Sequence, residues 1–91
     1  MPTIHIESEN PLGTKRAKER INEMIDQFSD RLGAEYQWSG DVLEFSRSGA
    51  SGTISVGETT VTVDAKLGLM LSAFKGEIEK QLKTFLSENL R

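Results

Sequence analysis

Ser72 and Lys75 stand three positions apart, a spacing at which one helical turn brings an amine to a hydroxyl and can activate it for acyl transfer. The S-D-N and K-T-G elements that accompany such serines are absent, and Lys83-Thr84 is followed by Phe85 rather than glycine. Both residues therefore read as surface positions on a helix. His5 and Glu7 fall on the same side of an alternating run, where they could act as a base and its orienting carboxylate. No nucleophile is placed beside them, and an exposed histidine next to a carboxylate accounts for the pair. With one histidine and no cysteine, thiolate chemistry, disulfides and the usual zinc sets are excluded. Neither a D-x-D-x-D-G calcium loop nor an H-E-x-x-H helix occurs. No catalytic residue, metal site or cofactor is expected, and the protein is not expected to be an enzyme.

Other groupings suit binding. Lys15, Arg16, Lys18 and Arg20 crowd the start of a helix, where positive charge opposes the helix dipole. An anion could sit against Lys15, Arg16 and Lys18, and the same side chains spread around the polar side of the helix as solvated cations do. Gly49, Gly52 and Gly57 lie between strands, without a G-x-x-x-x-G-K-[ST] string, so they read as hairpin turns and not as a nucleotide loop. In the last helix, Leu69 and Ala73 project away from the apolar arc, while Leu86 and Leu90 extend it on the other flank. These four form a candidate interaction surface.

The elements that position these residues follow from periodicity. Ile4 and Ile6 alternate with Thr3, His5 and Glu7, the signature of a half-buried strand. After the turn Asn10-Pro11-Leu12-Gly13, Thr14 is expected to cap a helix carrying Ala17, Ile21, Met24, Ile25, Phe28 and Leu32 on one stripe, with Gly33 ending it. Four short alternating runs follow, with Tyr36 and Trp38, Leu43 and Phe45, Ile54 and Val56, then Val61 and Val63 on their apolar sides. Leu67, Met70, Leu71, Phe74, Ile78, Leu82 and Phe85 return to helical spacing, which predicts one helix from near Gly68 to near Asn89. The strand positions between the apolar ones are nearly all polar, so one sheet face is expected to be wet. The spacing predicts an α+β two-layer sandwich: strand, helix, four strands, helix, with a five-stranded antiparallel sheet and both helices on one face.

A chain of 91 residues has room for one core and is read as one domain over 1–91. Its 36% hydrophobic and 27% charged content describes an ordinary globular protein. No long apolar run spans a bilayer, and the first residues lack the basic and apolar regions of a signal peptide, so a cytoplasmic protein is expected. The net charge of −3 argues against a dedicated nucleic-acid binder.

The run from Asp64 to Glu79, D-A-K-L-G-L-M-L-S-A-F-K-G-E-I-E, resembles the C-terminal signature of the polyhydroxyalkanoic acid system family. The likeness continues through Ile4-His5-Ile6, Leu12-Gly13, Ala17, Trp38, Phe45, Gly52 and Ile54. One departure is that Asn10-Pro11 stands where the family has a histidine shortly before the Leu-Gly pair. The resemblance implies a small bacterial protein tied by gene context to polyhydroxyalkanoate storage granules, and it carries over no catalytic residues. The element order also resembles a reduced helix-grip arrangement, in which a sheet wraps a C-terminal helix. Together these suggest a non-enzymatic interaction protein, as a homodimer or against a granule protein or the polyester granule surface. The alternative is a binding module for an acyl or other apolar ligand between sheet and last helix, lined by Trp38, Phe45 and Phe74.

Overall fold

Alternation of polar and apolar residues drives five segments into one antiparallel sheet: β1 (Thr3–Glu9), β2 (Glu35–Ser39), β3 (Val42–Arg47), β4 (Ala50–Val56) and β5 (Thr60–Leu67). The computed structural model describes residues 3–90, with side chains for all of them except 28–32 and 89. Spatial order is β1-β5-β4-β3-β2, so the first strand crosses over to pair with the last and forms one edge. The pairings of Ile6 with Val63, Val63 with Ile54, and Ile54 with Leu43 put the apolar residues of neighbouring strands on one face. His5, Asp64, Thr53 and Glu44 line up in the same way on the other. A shift of one residue in any pairing would turn an apolar set outwards, so burial of one face sets the register.

Helix α1 (Gly13–Leu32) and helix α3 (Lys75–Asn89) cover the apolar face. Ala17 and Ile21 of α1 and Leu86 of α3 join Ile4, Leu43, Val61 and Val63 in one buried cluster. The α1 helix approaches β2 and β4 while α3 approaches β1, so the two helices cover different parts of that one face. The expected stripe residues Phe28 and Leu32 lie outside the described side chains. Gly33, with φ of 65°, follows α1 in the left-handed conformation that glycine adopts at little cost.

Two local expectations are corrected. Thr14 does not precede its helix but lies inside the first turn, and its hydroxyl donates to Glu58 Oε2 at 2.8 Å. The preceding turn is instead held by Asn10, which is buried: its carboxamide accepts from the Leu12 N–H (3.1 Å) and donates to the Gly57 carbonyl (2.9 Å). The single C-terminal helix is also interrupted. β5 continues to Leu67, which pairs with Ala50 and is buried. A one-turn helix α2 (Leu69–Ser72) then precedes α3, with Phe74 leaving helical dihedrals at φ −105° and ψ 13°. Leu67 stands four residues before Leu71, which mimics helical spacing, but it also continues the strand series Val61, Val63, Ala65, and cross-strand pairing decides between the two.

Candidate functional site

Where β5 ends, Gly68 donates its N–H to the Gly49 carbonyl (2.8 Å) at the tip of the β3–β4 hairpin. A side chain on Gly68 would approach that carbonyl oxygen at 3.3 Å, so glycine allows the close crossing. Leu71 folds back over Gly49, and its partial burial fixes α2 by one side only. The other side faces outwards: Leu69 is 91% exposed, Met70 88% and Phe74 54%, and Ala73 is exposed as well. An apolar knuckle of four residues thus stands out from the end of the sheet.

Of the four expected interaction residues, Leu69 and Ala73 lie on this knuckle, and Leu86 and Leu90 do not. The latter two are 2% and 3% exposed, packed into the core against the sheet. Their expected exposure is corrected because the stretch is not one continuous helix but two, α2 and α3. Once α2 is separate, the buried face of α3 is set by Ile78, Leu82, Phe85 and Leu86 alone, and Leu90 continues it past the helix end, where its N–H bonds the Leu86 carbonyl (3.0 Å). Met70 also departs from the helical stripe that its spacing predicts and projects at 88% exposure.

Under α3 lies an apolar groove of about 260 Å³, walled by Met24 and Ile25 of α1, Ile78 and Leu82 of α3, and Tyr36, Phe45, Ile54 and Val63 of the sheet. From β4 the groove is lined by Ala50 and Ile54, and Gly52, the inward position between them, makes room for the Phe45 ring that forms part of the wall. A Cβ on Gly52 would lie 2.4 Å from the Asp64 carbonyl oxygen and 2.8 Å from Phe45 Cζ, so the phenyl ring occupies the space a side chain would fill. Of the three residues expected to line such a gap, only Phe45 does so. Phe74 sits on the knuckle, and Trp38 is held by α1: its indole N–H donates to Asn22 Oδ1 (2.9 Å), and Lys18 Nζ lies 5.1 Å from its ring centroid. Ala50, a small residue at an inward strand position, is the signal in the sequence that marks the groove.

The polar candidates have partners within the chain. Lys18 Nζ donates to the Gly40 carbonyl (2.8 Å) and Asp41 Oδ1 (3.2 Å), and the Glu58 carboxylate stands at the start of α1. Lys15 and Arg16 are exposed. Ser72 Oγ donates to the Leu69 carbonyl at 2.7 Å, a contact within its own helical turn. His5 has two carboxylate neighbours: the expected Glu7 at 3.6 Å and, closer, Asp64 Oδ1 at 2.5 Å from Nδ1, brought opposite it by the β1–β5 register. The hydrogen bond to Asp64, then the charge of Asp64, hold the imidazole pKa above its usual 6.5, with Glu7 adding to both effects.

Among the described residues no group of three or more histidine, aspartate or glutamate side chains is placed to hold a metal ion, and no helix is long and apolar enough to cross a membrane. The family model described as "Putative polyhydroxyalkanoic acid system protein" matches residues 4–90, from the first core residue of β1 to the last of the C-terminal segment. The chain belongs to the polyhydroxyalkanoic acid system protein family. No curated protein and no solved structure matches it. Family membership over this span takes in both the knuckle and the groove, so both are features of the matched region and not of an appended tail.

Proposed function

We propose that this protein of the polyhydroxyalkanoic acid system is a non-enzymatic surface-binding protein that docks through α2 onto the polyester granule surface. The observation that carries the proposal is the projection of Leu69 and Met70, at 91% and 88% exposure, from a one-turn helix anchored on its other side by Leu71. A soluble domain of this size gains nothing from two fully projecting large apolar side chains in adjacent positions unless something covers them. Burying both against an apolar surface would contribute on the order of 3–5 kcal/mol, with Phe74 and Ala73 extending the contact. Lys66, exposed, and Lys75, half-buried, flank the knuckle in the sequence.

Co-sedimentation with purified polyhydroxyalkanoate particles tests this reading. Wild-type protein should pellet with the particles, and the double variant Leu69→Asp, Met70→Asp should remain in the supernatant with its unfolding temperature unchanged. Wild type left in the supernatant, or a variant that pellets equally, refutes the docking. Light scattering of the same two proteins reads the competing use of the patch: a dimer of the 10.1 kDa chain that dissociates in the double variant would assign the patch to self-association.

A further inference from the structure

The groove beneath α3 has a composition the α2 contact does not use. Its walls are apolar except at one end, where Arg47 takes the inward position that follows Leu43 and Phe45 along β3. Arg47 is the sole charged residue among the described residues that line the space, with Gln81 beside it as a neutral amide. No carboxylate pairs with Arg47 among the described residues. Asp26 of α1 accepts the hydroxyl of Tyr36, a residue of the groove wall. A guanidinium with no carboxylate partner among the described residues, at the rim of an apolar trough, offers a planar fork for one carboxylate, with the trough left for a hydrocarbon chain.

We propose that this groove binds a monocarboxylate with an unbranched apolar chain of about six to eight carbons, its head group paired with Arg47 and its chain lying between α1, α3 and the sheet. Size is compatible with the class: at about 30 Å³ for each water-sized heavy atom the groove has room for about nine non-hydrogen atoms, enough for the whole chain of such an acid with its head group at the rim. The complement is also electrostatic. A neutral chain would leave Arg47 unused, and a dianionic head would meet a single cation. The small side chain of Ala50 leaves room in the floor, and Ile78 and Leu82 close the trough from above. This inference does not rest on the granule contact, which uses a different surface.

The probe is sodium octanoate, kept below its micelle concentration and followed by ¹H–¹³C methyl spectra of the whole chain. Saturable shifts are expected at Ile25, Ile54, Ile78 and Leu82. Arg47→Gln, an exposed substitution that leaves the core intact, should weaken octanoate about tenfold, and 1-octanol should bind wild type and variant alike. Ile78→Trp, which fills the trough, should abolish the shifts. Octanoate that moves none of these methyls, or that binds Arg47→Gln as tightly as wild type, overturns the proposal. Because Leu69→Asp, Met70→Asp leaves the groove untouched, that variant should bind octanoate normally, so loss of granule docking and loss of acid binding are read independently.

Discussion

Leu69 and Leu86 lie on the same C-terminal stretch and are the same residue type, yet they have opposite environments. Truncation to alanine should separate them sharply. Leu86 is 2% exposed and packs in the main cluster, so Leu86→Ala removes buried methylene surface and leaves a cavity between α3 and the sheet. Such losses run at about 2–5 kcal/mol, and about 3 kcal/mol is expected here. For a domain of this size each kcal/mol moves the unfolding midpoint by about 4–8 °C, so Leu86→Ala should melt more than 10 °C (roughly) below wild type. Leu69 is 91% exposed, and Leu69→Ala should stay within about 0.5 kcal/mol of wild type, a shift of at most about 4 °C. Thermal melts followed by far-ultraviolet circular dichroism, repeated as urea titrations, measure both. Two variants that melt within a few degrees of each other would refute the separation of α2 from α3 on which the assignment of the exposed patch depends.

Three further outcomes follow from single contacts. Gly52→Ala places a methyl 2.4 Å from the Asp64 carbonyl oxygen and against the Phe45 ring, and should cost about 1–3 kcal/mol, read as a lower urea midpoint with unchanged slope; a midpoint at or above wild type contradicts the packing. Asn10→Ala leaves the Leu12 N–H and the Gly57 carbonyl without their buried partner and should cost about 1–3 kcal/mol, whereas a neutral result would mean the turn holds without it. His5 should titrate above 6.5 by proton NMR, and Asp64→Asn should move the midpoint back down. Because the folded pKa is raised, the His5–Asp64 pair stabilises fully at pH below 6.5 and its contribution fades as pH rises through the folded value. The stability gap between wild type and Asp64→Asn should therefore narrow with rising pH, and equal midpoints for the two imidazoles would refute the pairing.

Much of the fold was legible because the strands alternate cleanly. Ile4 and Ile6, Leu43 and Phe45, Ile54 and Val56, Val61 and Val63 all turn to the covered face, and His5, Glu44, Thr53 and Asp64 turn to the wet one. Period 2 is a local property, so it survives without any knowledge of partners. The candidate sites were less legible. Trp38 shares a face with Phe45, and the sequence does not say that Asn22 and Lys18 of α1 hold it away from the groove. Asp64 lies 59 positions from His5, and only strand order brings them to 2.5 Å.

The amino-acid sequence by itself determined the five strands, their wet and dry faces, the α1 stripe through Ala17 and Ile21, and the family, since each rests on residues within a few positions of one another. Tertiary structure alone decided where β5 stops and α2 begins, that Leu86 and Leu90 are buried while Met70 projects, and that Arg47 stands at the mouth of an apolar groove. The physical reason is that an apolar side chain near Leu67 satisfies strand and helix periodicity alike. The pairing of Leu67 with Ala50 and the hydrogen bond from Gly68 to Gly49 settle the choice only after distant segments have met.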